Sequence, residues 1–371
     1  MSLSELRVLV LGSLGPNQDR ILALAARVDG LVYAYTEFHP SLVRLEKEIV
    51  CIPLARRNLV PQVRYLLTRY EISIIYSLLS AADQSTEVTL EVLDGGIAVP
   101  IVRHYKEHPC IPTLEERRIL LDTAGQIYIN RESLEYFRRI YGVSLESAHI
   151  VDADMIAERY MSDDFSEKLR LQDGEPHLLV AGGMSMLSDR LDVRELCVEM
   201  DRRHVHVHLF GYVVGKGEDG CPIVGHIPTL RAYEDLEGSL SYVHRHAYVP
   251  PAEFCPAWSR YDAGFMHTKV DPHDKTAAFE ELNLPYRYTA YLAAGLPLAV
   301  PKEGQRAMRS LVESCDVGVI YSDYDDLAAK LHDENVMAAL SSEARGRRRY
   351  FSFDSNADKL IEILKRYSAA C

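Results

Sequence analysis

The chain has 371 residues, of which 47% are hydrophobic and 26% charged, and its formal net charge at pH 7 is −13. This length suits two domains better than one core, and the globular composition excludes disordered and collagen-like classes. The negative charge argues against broad binding to nucleic acid or to an anionic membrane, since both require a basic face. The sequence shows neither a secretory leader pattern nor an apolar run of membrane-spanning length, so we expect a cytoplasmic protein with no integral membrane segment.

The first half of the chain alternates β-rich apolar runs with helical patterns. Residues 6–11 predict a strand that ends in a turn containing Gly12 and Gly15, and residues 17–28 then show the apolar spacing of a helix. This alternation continues and predicts a parallel, doubly wound α/β sheet. Further strands are predicted at 31–35, 72–78, 99–103 and 126–130, with helices such as 60–70 and 114–124 between them.

The alternation weakens after residue 145 and restarts at His177 with the sequence HLLVAGG. We therefore expect two Rossmann-like domains in tandem. Strands are predicted at 205–210, 241–246, 263–266, 298–300 and 318–321, and helices at 192–202, 251–259, 288–294, 304–314, 324–330 and 356–369. The predicted bounds are 1–150 for the N-terminal domain, 151–175 for a connector, 176–350 for the C-terminal domain and 351–371 for a final helix that is able to pack back on the N-terminal domain.

The most specific segment is 284–301, LPYRYTAYLAAGLPLAVP, which places a short helix before Gly295 and a buried strand after Pro297. It resembles the donor-binding segment of retaining GT-B glycosyltransferases related to the glycogen synthase and sucrose synthase superfamily, where A-x-G-x-P precedes a core strand. Other matching pieces follow the family's order at 242–254, 260–267 and 315–321. The resemblance implies a GT-B-like fold, two Rossmann-like domains facing across a cleft that binds a nucleotide sugar.

The same resemblance implies a set of donor-side residues. Backbone N–H groups after the first strand of the second domain suit phosphate binding, and Arg287 stands where the family has a Lys or Arg that holds the diphosphate. Arg194 is an alternative to Arg190 as a second cation. The competing interpretation is that the glycines form an ordinary turn and the arginines are solvated. The donor-side residues so implied are Gly182, Gly183, Ser185, Arg190, Tyr248, Asn283, Tyr286 and Arg287.

One departure from the family pattern concerns its pair of glutamates. The positions that correspond to them hold Leu282 and Ala290, so both carboxylates are missing. Glu280 and Glu281 are adjacent and offer a shifted substitute, although paired acids also occur on solvated helix faces.

In the first half, residues 99–105 resemble the family segment that carries a histidine near the transferred sugar. His104 is the candidate for that catalytic histidine, alongside Arg287, and His108 is second. The alternative is a loop imidazole that hydrogen-bonds a backbone carbonyl. Gly12 and Gly15 are expected to line the sugar and acceptor side.

Two patterns are typical of metal or disulfide chemistry, but their details argue against both. Residues 204–208, HVHVH, put three imidazoles on one face of a predicted strand, but no acidic ligand follows closely, so we predict no metal site there. The seven cysteines are far apart and never in C-x-x-C spacing, which predicts reduced thiols.

The resemblance therefore implies a metal-independent, retaining glycosyltransferase without a cofactor, which moves a sugar from a nucleoside diphosphate donor to a small-molecule or glycan acceptor. Two alternatives remain. One is a catalytically silent GT-B-like protein that binds a nucleotide or a protein, suggested by the missing glutamates. The other is a nucleotide-sugar epimerase, which needs an acid and a base facing the sugar.

Overall fold

The structure, a computed structural model, describes residues 5–12, 18–37, 42–79, 85–105, 113–142, 147–151, 156–182, 192–211, 213–216, 222–224, 235–266, 269, 273 and 277–368. Contacts group the chain into two compact units, 1–157 with 352–371 and 158–351. Most of the expected connector, 151–175, therefore packs as part of the second unit. Its residues 166–169 hydrogen-bond to residues 256–261 of that unit.

The first unit is a seven-stranded parallel sheet with helices between its strands, in the order β3-β2-β1-β4-β5-β6-β7. Its strands are β1 (Arg7–Gly12), β2 (Gly30–Tyr35), β3 (Val50–Pro53), β4 (Ile74–Leu79), β5 (Ile101–Tyr105), β6 (Gly125–Tyr128) and β7 (Ala148–Ile150). Its helices are α1 (Gln18–Ala25), α2 (Leu42–Leu45), α3 (Leu59–Arg69), α4 (Ser85–Asp94), α5 (Leu114–Asp122), α6 (Arg131–Tyr141) and the C-terminal helix α16 (Phe353–Ser368).

The alternation of side chains along β1 divides the first core into two layers. Val8 and Val10 pack on one face with residues of α1 and α16. Leu9 and Leu11 pack on the other face with residues of α3 and α4. Both faces of β1 are therefore buried, which explains the continuous apolar run in its sequence, as expected for a central strand of a parallel sheet.

The C-terminal helix belongs to the first unit. Its Tyr367 ring lies over Gly125 of β6, where an added β-carbon would approach the ring to 2.4 Å. The Tyr367 hydroxyl donates to the carbonyl of Ser147 at 3.1 Å and lies 2.8 Å from Nε2 of His149. Glycine at 125 thus makes room for the tyrosine that fastens the chain's last helix to the sheet.

The second unit has a six-stranded parallel sheet in the order β12-β9-β8-β13-β14-β15 and a separate antiparallel hairpin, β10-β11. Its strands are β8 (His177–Ala181), β9 (His206–Phe210), β10 (Val213–Lys216), β11 (Pro222–Val224), β12 (Val243–His246), β13 (Ala263–Phe265), β14 (Leu298–Pro301) and β15 (Gly318–Tyr321). Its helices are α7 (Arg170–Asp173), α8 (Arg194–Asp201), α9 (235–239), α10 (Phe254–Trp258), α11 (Ala277–Leu282), α12 (Arg287–Ala293), α13 (Arg306–Cys315), α14 (Tyr324–His332) and α15 (Glu334–Arg347).

Several elements of the structure were not predicted from the sequence. The strands β3 and β7 form the two edges of the first sheet and have only four and three residues, and strands this short give a weak periodic signal in the sequence. The hairpin β10-β11 and the helix α15 were also missed. The buried residues of α15 are Met337, Ser341 and Ala344, a face too weakly apolar to show helical periodicity. None of the helices in the described ranges combines the length and apolar character needed to cross a bilayer.

Candidate functional site

The carboxyl edge of the second sheet brings together two of the residues predicted on the donor side. Gly182 directly follows β8 with φ of 96°, in the left-handed region that favours glycine. Arg287 is the first residue of α12, and a β-carbon built on Gly182 would lie 3.8 Å from its Nε atom. The guanidinium of Arg287 therefore packs against the backbone of Gly182, which carries no side chain.

Tyr291, one turn further along α12, fixes this arrangement. Its hydroxyl oxygen accepts a hydrogen bond from the backbone N–H of Ala181 at 2.8 Å. Its ring lies over Gly264 of β13, where an added β-carbon would approach ring atoms to 2.3 Å. Burial raises the pKa of Tyr291 to about 12, so the phenol is neutral and holds α12 against two neighbouring strands.

The glycine of the A-x-G-x-P motif has a backbone reason. Gly295 follows α12 with φ of 71°, the left-handed conformation that commonly ends a helix. A β-carbon there would lie 2.6 Å from Cγ of Arg345 and 2.9 Å from the ring of Phe165. The motif therefore ends the helix and turns the chain into β14.

A cavity of about 380 Å³ opens at the carboxyl ends of β13, β14 and β15. This is the edge at which parallel α/β sheets bind ligands, and the volume is in the range of small-molecule sites. Phe265 and Tyr321 form apolar walls, whereas Glu303 and Lys269 supply charge. The full lining is Asp192, Val193, Leu196, Phe265, Met266, Lys269, Pro301, Glu303, Gly304, Tyr321, Ser322, Asp323 and Tyr324.

The remaining predicted donor residues lie in different places. Asn283 and Tyr286 are half-buried; Tyr286 immediately precedes Arg287 at the start of α12, and Asn283 lies in the loop between α11 and α12. Tyr248 is half-buried after β12, and burial raises its pKa. Their donor-binding roles stay predictions. Gly183, Ser185, Arg190 and Gly15 lie outside the described residues.

The positions of the missing glutamates are part of the core. Leu282 and Ala290 are 2% and 3% exposed, and they pack as apolar residues. Of the two candidate substitutes, Glu280 is buried at 8% exposure and Glu281 is half-buried. A buried glutamate in α11 is unlike the solvated face that was the alternative interpretation.

His104 of the first unit is enclosed rather than exposed to a ligand. It lies within β5 and is fully buried. Its Nδ1 atom is 2.6 Å from the hydroxyl of Tyr76 and 2.7 Å from a guanidinium nitrogen of Arg20. The catalytic role of His104 stays a prediction, and this geometry favours a structural one. His108 lies outside the described residues, and Gly12 ends β1 with φ of 129° and accepts a hydrogen bond from Tyr33.

The opposite, amino edge of the second sheet carries a cluster of polar side chains that was not predicted from the sequence. Atoms of Asp173, His177 and His206 able to bind a metal lie within 4.8 Å of one another. Burial lowers the pKa of His177 to about 4, so its imidazole is neutral near pH 7. The available signal was the HVHVH sequence together with the histidine that opens β8.

No protein-family model matches the sequence, and no curated protein is significantly similar to it in sequence. Solved structures resemble it over nearly its whole length. A glycosyltransferase from Rickettsia africae ESF-5 has a TM-score of 0.69 at 11% identity, covering 98% of this chain and 99% of its own. Anabaena HepE in complex with UDP has a TM-score of 0.68 at 15% identity, covering 97% and 100%. Sucrose-phosphate synthase from Thermosynechococcus elongatus has a TM-score of 0.66 at 15% identity, covering 99% and 100%.

The chain has the GT-B fold. The predictions of an α/β protein with two Rossmann-like units and of a resemblance to GT-B glycosyltransferases are thereby confirmed. HepE has also been solved with UDP-glucose, at a TM-score of 0.64 and 15% identity to this chain. At sequence identities this low, the structural similarity shows the fold. Because one fold supports many activities, the reaction has to be inferred from the site.

Proposed function

We propose that this GT-B protein is a glycosyltransferase that moves a sugar from a nucleoside diphosphate donor to a small-molecule or glycan acceptor. The observation that carries the proposal is the packing of Arg287 against Gly182 at the carboxyl edge of a Rossmann-like sheet. Bare backbone allows a phosphate to approach closely, and a guanidinium binds phosphate oxygens in pairs. The fold shared with glycosyltransferases, including HepE in complex with UDP-glucose, supports a nucleotide sugar as the ligand.

The donor fits this edge in two parts. The diphosphate would lie at Gly182 and Arg287, and the nucleoside would enter the 380 Å³ cavity whose wall includes Phe265. The two places are adjacent, because β8 pairs directly with β13, and neighbouring strands are about 4.8 Å apart. Glu303 in the cavity lining is the candidate acceptor for ribose hydroxyls, in place of the absent glutamate at Ala290.

The proposed transfer mainly requires that the donor and acceptor be positioned and that the negative charge on the departing diphosphate be stabilised. As the bond between sugar and diphosphate breaks, negative charge develops on the departing phosphate, and Arg287 donates hydrogen bonds to it. The proposed reaction is retaining and metal-independent, with the acceptor attacking from the face that the diphosphate leaves. Buried Glu280 is the candidate to contact the sugar.

The buried Leu282 and Ala290 favour a second candidate function. Hydrophobic residues at both glutamate positions suit a GT-B-like protein that binds a nucleotide or a partner without turnover. The two candidates share the nucleotide site and differ in whether bound donor is consumed.

Calorimetric titration tests the proposal with UDP, GDP, dTDP, ADP and CMP and their common sugar conjugates, starting from UDP-glucose. Wild type, Arg287→Ala and Arg347→Ala are compared, because Arg347 is an exposed arginine of the same unit that forms an ion pair with Glu343 of its own helix. We expect one nucleotide class to bind wild type and Arg347→Ala alike and Arg287→Ala at least about tenfold more weakly.

Turnover then separates the two candidates. Slow release of free nucleotide from the bound donor, or transfer to an acceptor from a glycan panel, supports the glycosyltransferase. Tight binding of donor without any release or transfer indicates the silent protein. Failure of every nucleotide to bind contradicts the glycosyltransferase and leaves only the silent protein that binds a partner.

A further inference from the structure

Five histidines form two hydrogen-bonded rows on one face of the second sheet. His177 of β8 pairs in register with His206 of β9, and His208 of β9 pairs with His244 of β12. In the first row, Nδ1 of His177 is 2.8 Å from Nε2 of His208, and Nδ1 of His208 is 2.8 Å from Nε2 of His246. In the second row, Nδ1 of His206 is 2.8 Å from Nε2 of His244.

This arrangement differs from the one expected for HVHVH. The strand begins at His206, whereas His204 lies in the preceding turn with φ of 56° and a side chain that is 62% exposed. Only two of the three predicted imidazoles therefore share a strand face. The acidic group sought after the motif precedes it instead, at Asp173 in α7.

Both rows start at the carboxylate of Asp173. Its Oδ2 atom lies 3.1 Å from Nε2 of His177 and 3.6 Å from Nε2 of His206. Ligands bound tetrahedrally at about 2.1 Å from one zinc ion are about 3.4 Å apart, so the two separations from Asp173 bracket the required value, and all three ligand atoms lie within 4.8 Å of one another. The rings of His177 and His206 are stacked at 6° with their centroids 4.5 Å apart, so one imidazole has to turn for both Nε2 lone pairs to point at one ion.

We propose that Asp173, His177 and His206 bind a divalent transition-metal ion of the zinc class, with water completing its coordination. Two imidazole nitrogens and one carboxylate suit zinc, cobalt or nickel, whereas magnesium and calcium prefer oxygen ligands. The Asp173 side chain is 41% exposed, which gives the ion a path from solvent, while that of His177 is 4% exposed and fixed by its row.

The rows also satisfy the hydrogen bonding that such a site needs. A neutral imidazole has one N–H and one lone pair, so the direction of one bond fixes the next along a row. When Nε2 of His177 binds the ion, Nδ1–H of His177 donates to His208, and Nδ1–H of His208 donates to His246. His206 donates to His244 in the same way. Metal-binding histidines commonly donate their second N–H to such a partner.

The ion would lie far from the proposed donor site. His177 begins β8 and Gly182 follows its end, so the strand separates them by roughly 17 Å at 3.3 Å per residue. The ion would join α7 to the first residues of β8 and β9. We therefore assign it to the stability of the second unit and not to the transfer reaction.

Zinc titration of EDTA-dialysed protein without a polyhistidine tag tests the site. Wild type is compared with Asp173→Asn, His206→Gln and the control His204→Gln, which alters a neighbouring exposed histidine outside the rows. We expect one equivalent of zinc to bind wild type and the control alike, and both site variants to bind at least about tenfold more weakly. Fluorescence of the single tryptophan, Trp258, checks that each metal-free variant keeps the fold of the second unit.

A second readout addresses the rows themselves. In long-range ¹H–¹⁵N spectra of the zinc-loaded protein, His177, His206 and His208 should be Nδ1–H tautomers. Absence of zinc binding in folded wild type, equal binding by folded Asp173→Asn and His206→Gln, or loss of binding in His204→Gln would each overturn the proposal.

Discussion

The two edges of the second sheet carry different chemistry. At the carboxyl edge, Gly182 and Arg287 offer bare backbone and a guanidinium, which suit an anionic ligand. At the amino edge, Asp173, His177 and His206 offer a carboxylate and neutral nitrogens, which suit a cation. Each strand of a parallel sheet contributes to both edges, so one fold can hold two independent sites about a strand's length apart.

The two edges also differ in how their residues are distributed along the sequence. Arg287, Tyr291 and Gly295 lie within one short motif, because a single helix and the turn after it build that part of the carboxyl edge. The amino edge takes its groups from α7, β8 and β9, and only the strand register brings them together.

The largest expected effect is that of Arg287→Ala on donor turnover. Removing one preorganised donor to developing charge commonly lowers kcat by about 100-fold to 1000-fold, so we expect a loss of that order in donor turnover. The measurement is nucleotide release from the bound donor, alongside zinc affinity for the same variant. Zinc affinity should be unchanged. A variant that lost both properties would show that the two edges are not independent.

A smaller effect is expected from packing at the carboxyl edge. In Gly264→Ala the new methyl group would meet the ring of Tyr291, which is fully buried and tied to Ala181. Such overpacking destabilises by about 1 to 3 kcal/mol, and we expect the upper part of that range. Urea unfolding followed by Trp258 fluorescence reports on this unit, because that ring lies 6.0 Å from Tyr291.

Gly346→Ala is the matched control for that variant. Gly346 lies in α15, and a β-carbon there meets no atom within 4 Å. Alanine should therefore stabilise the helix by about 0.5 to 1 kcal/mol. Equal destabilisation by both substitutions would mean that the contact with Tyr291 is not the cause.

The sequence predicted the central strands of both sheets, and the clearest of them, β1 and β8, contain long apolar runs. It missed the edge strands β3 and β7, which are short and partly exposed. In the site, the sequence assigned both Gly182 and Arg287 to the donor side, and the structure brings them together, while their donor-binding roles stay predictions.

Other features depend on contacts between distant segments and leave little trace in a single sequence. Arg20 and Tyr76 enclose His104 although they lie 84 and 28 positions away. Asp173 reaches His206 from another element, so a search for an acid after HVHVH did not find it. In both cases tertiary packing determines whether a histidine is a core residue or a ligand.

The last effect, smaller than that of Arg287→Ala or Gly264→Ala, concerns a half-buried lysine at the amino edge. Lys168 donates to the carbonyl of Tyr261, and burial lowers its pKa to about 8. The unfolded chain, with a lysine pKa of about 10.4, binds the proton more tightly, so this group destabilises the fold below pH 8 and the penalty disappears as pH rises to about 10.4. After allowance for partial exposure of the side chain, wild type should gain about 2 kcal/mol of unfolding free energy relative to Lys168→Met between pH 7.5 and 10.

Urea unfolding of both proteins at the two pH values, followed by Trp258 fluorescence, measures this change. The contributions of other groups that titrate in both proteins cancel. If the difference in unfolding free energy between wild type and Lys168→Met stays constant with pH, Lys168 is solvated in the folded state. Water would then reach the amino edge of the second sheet.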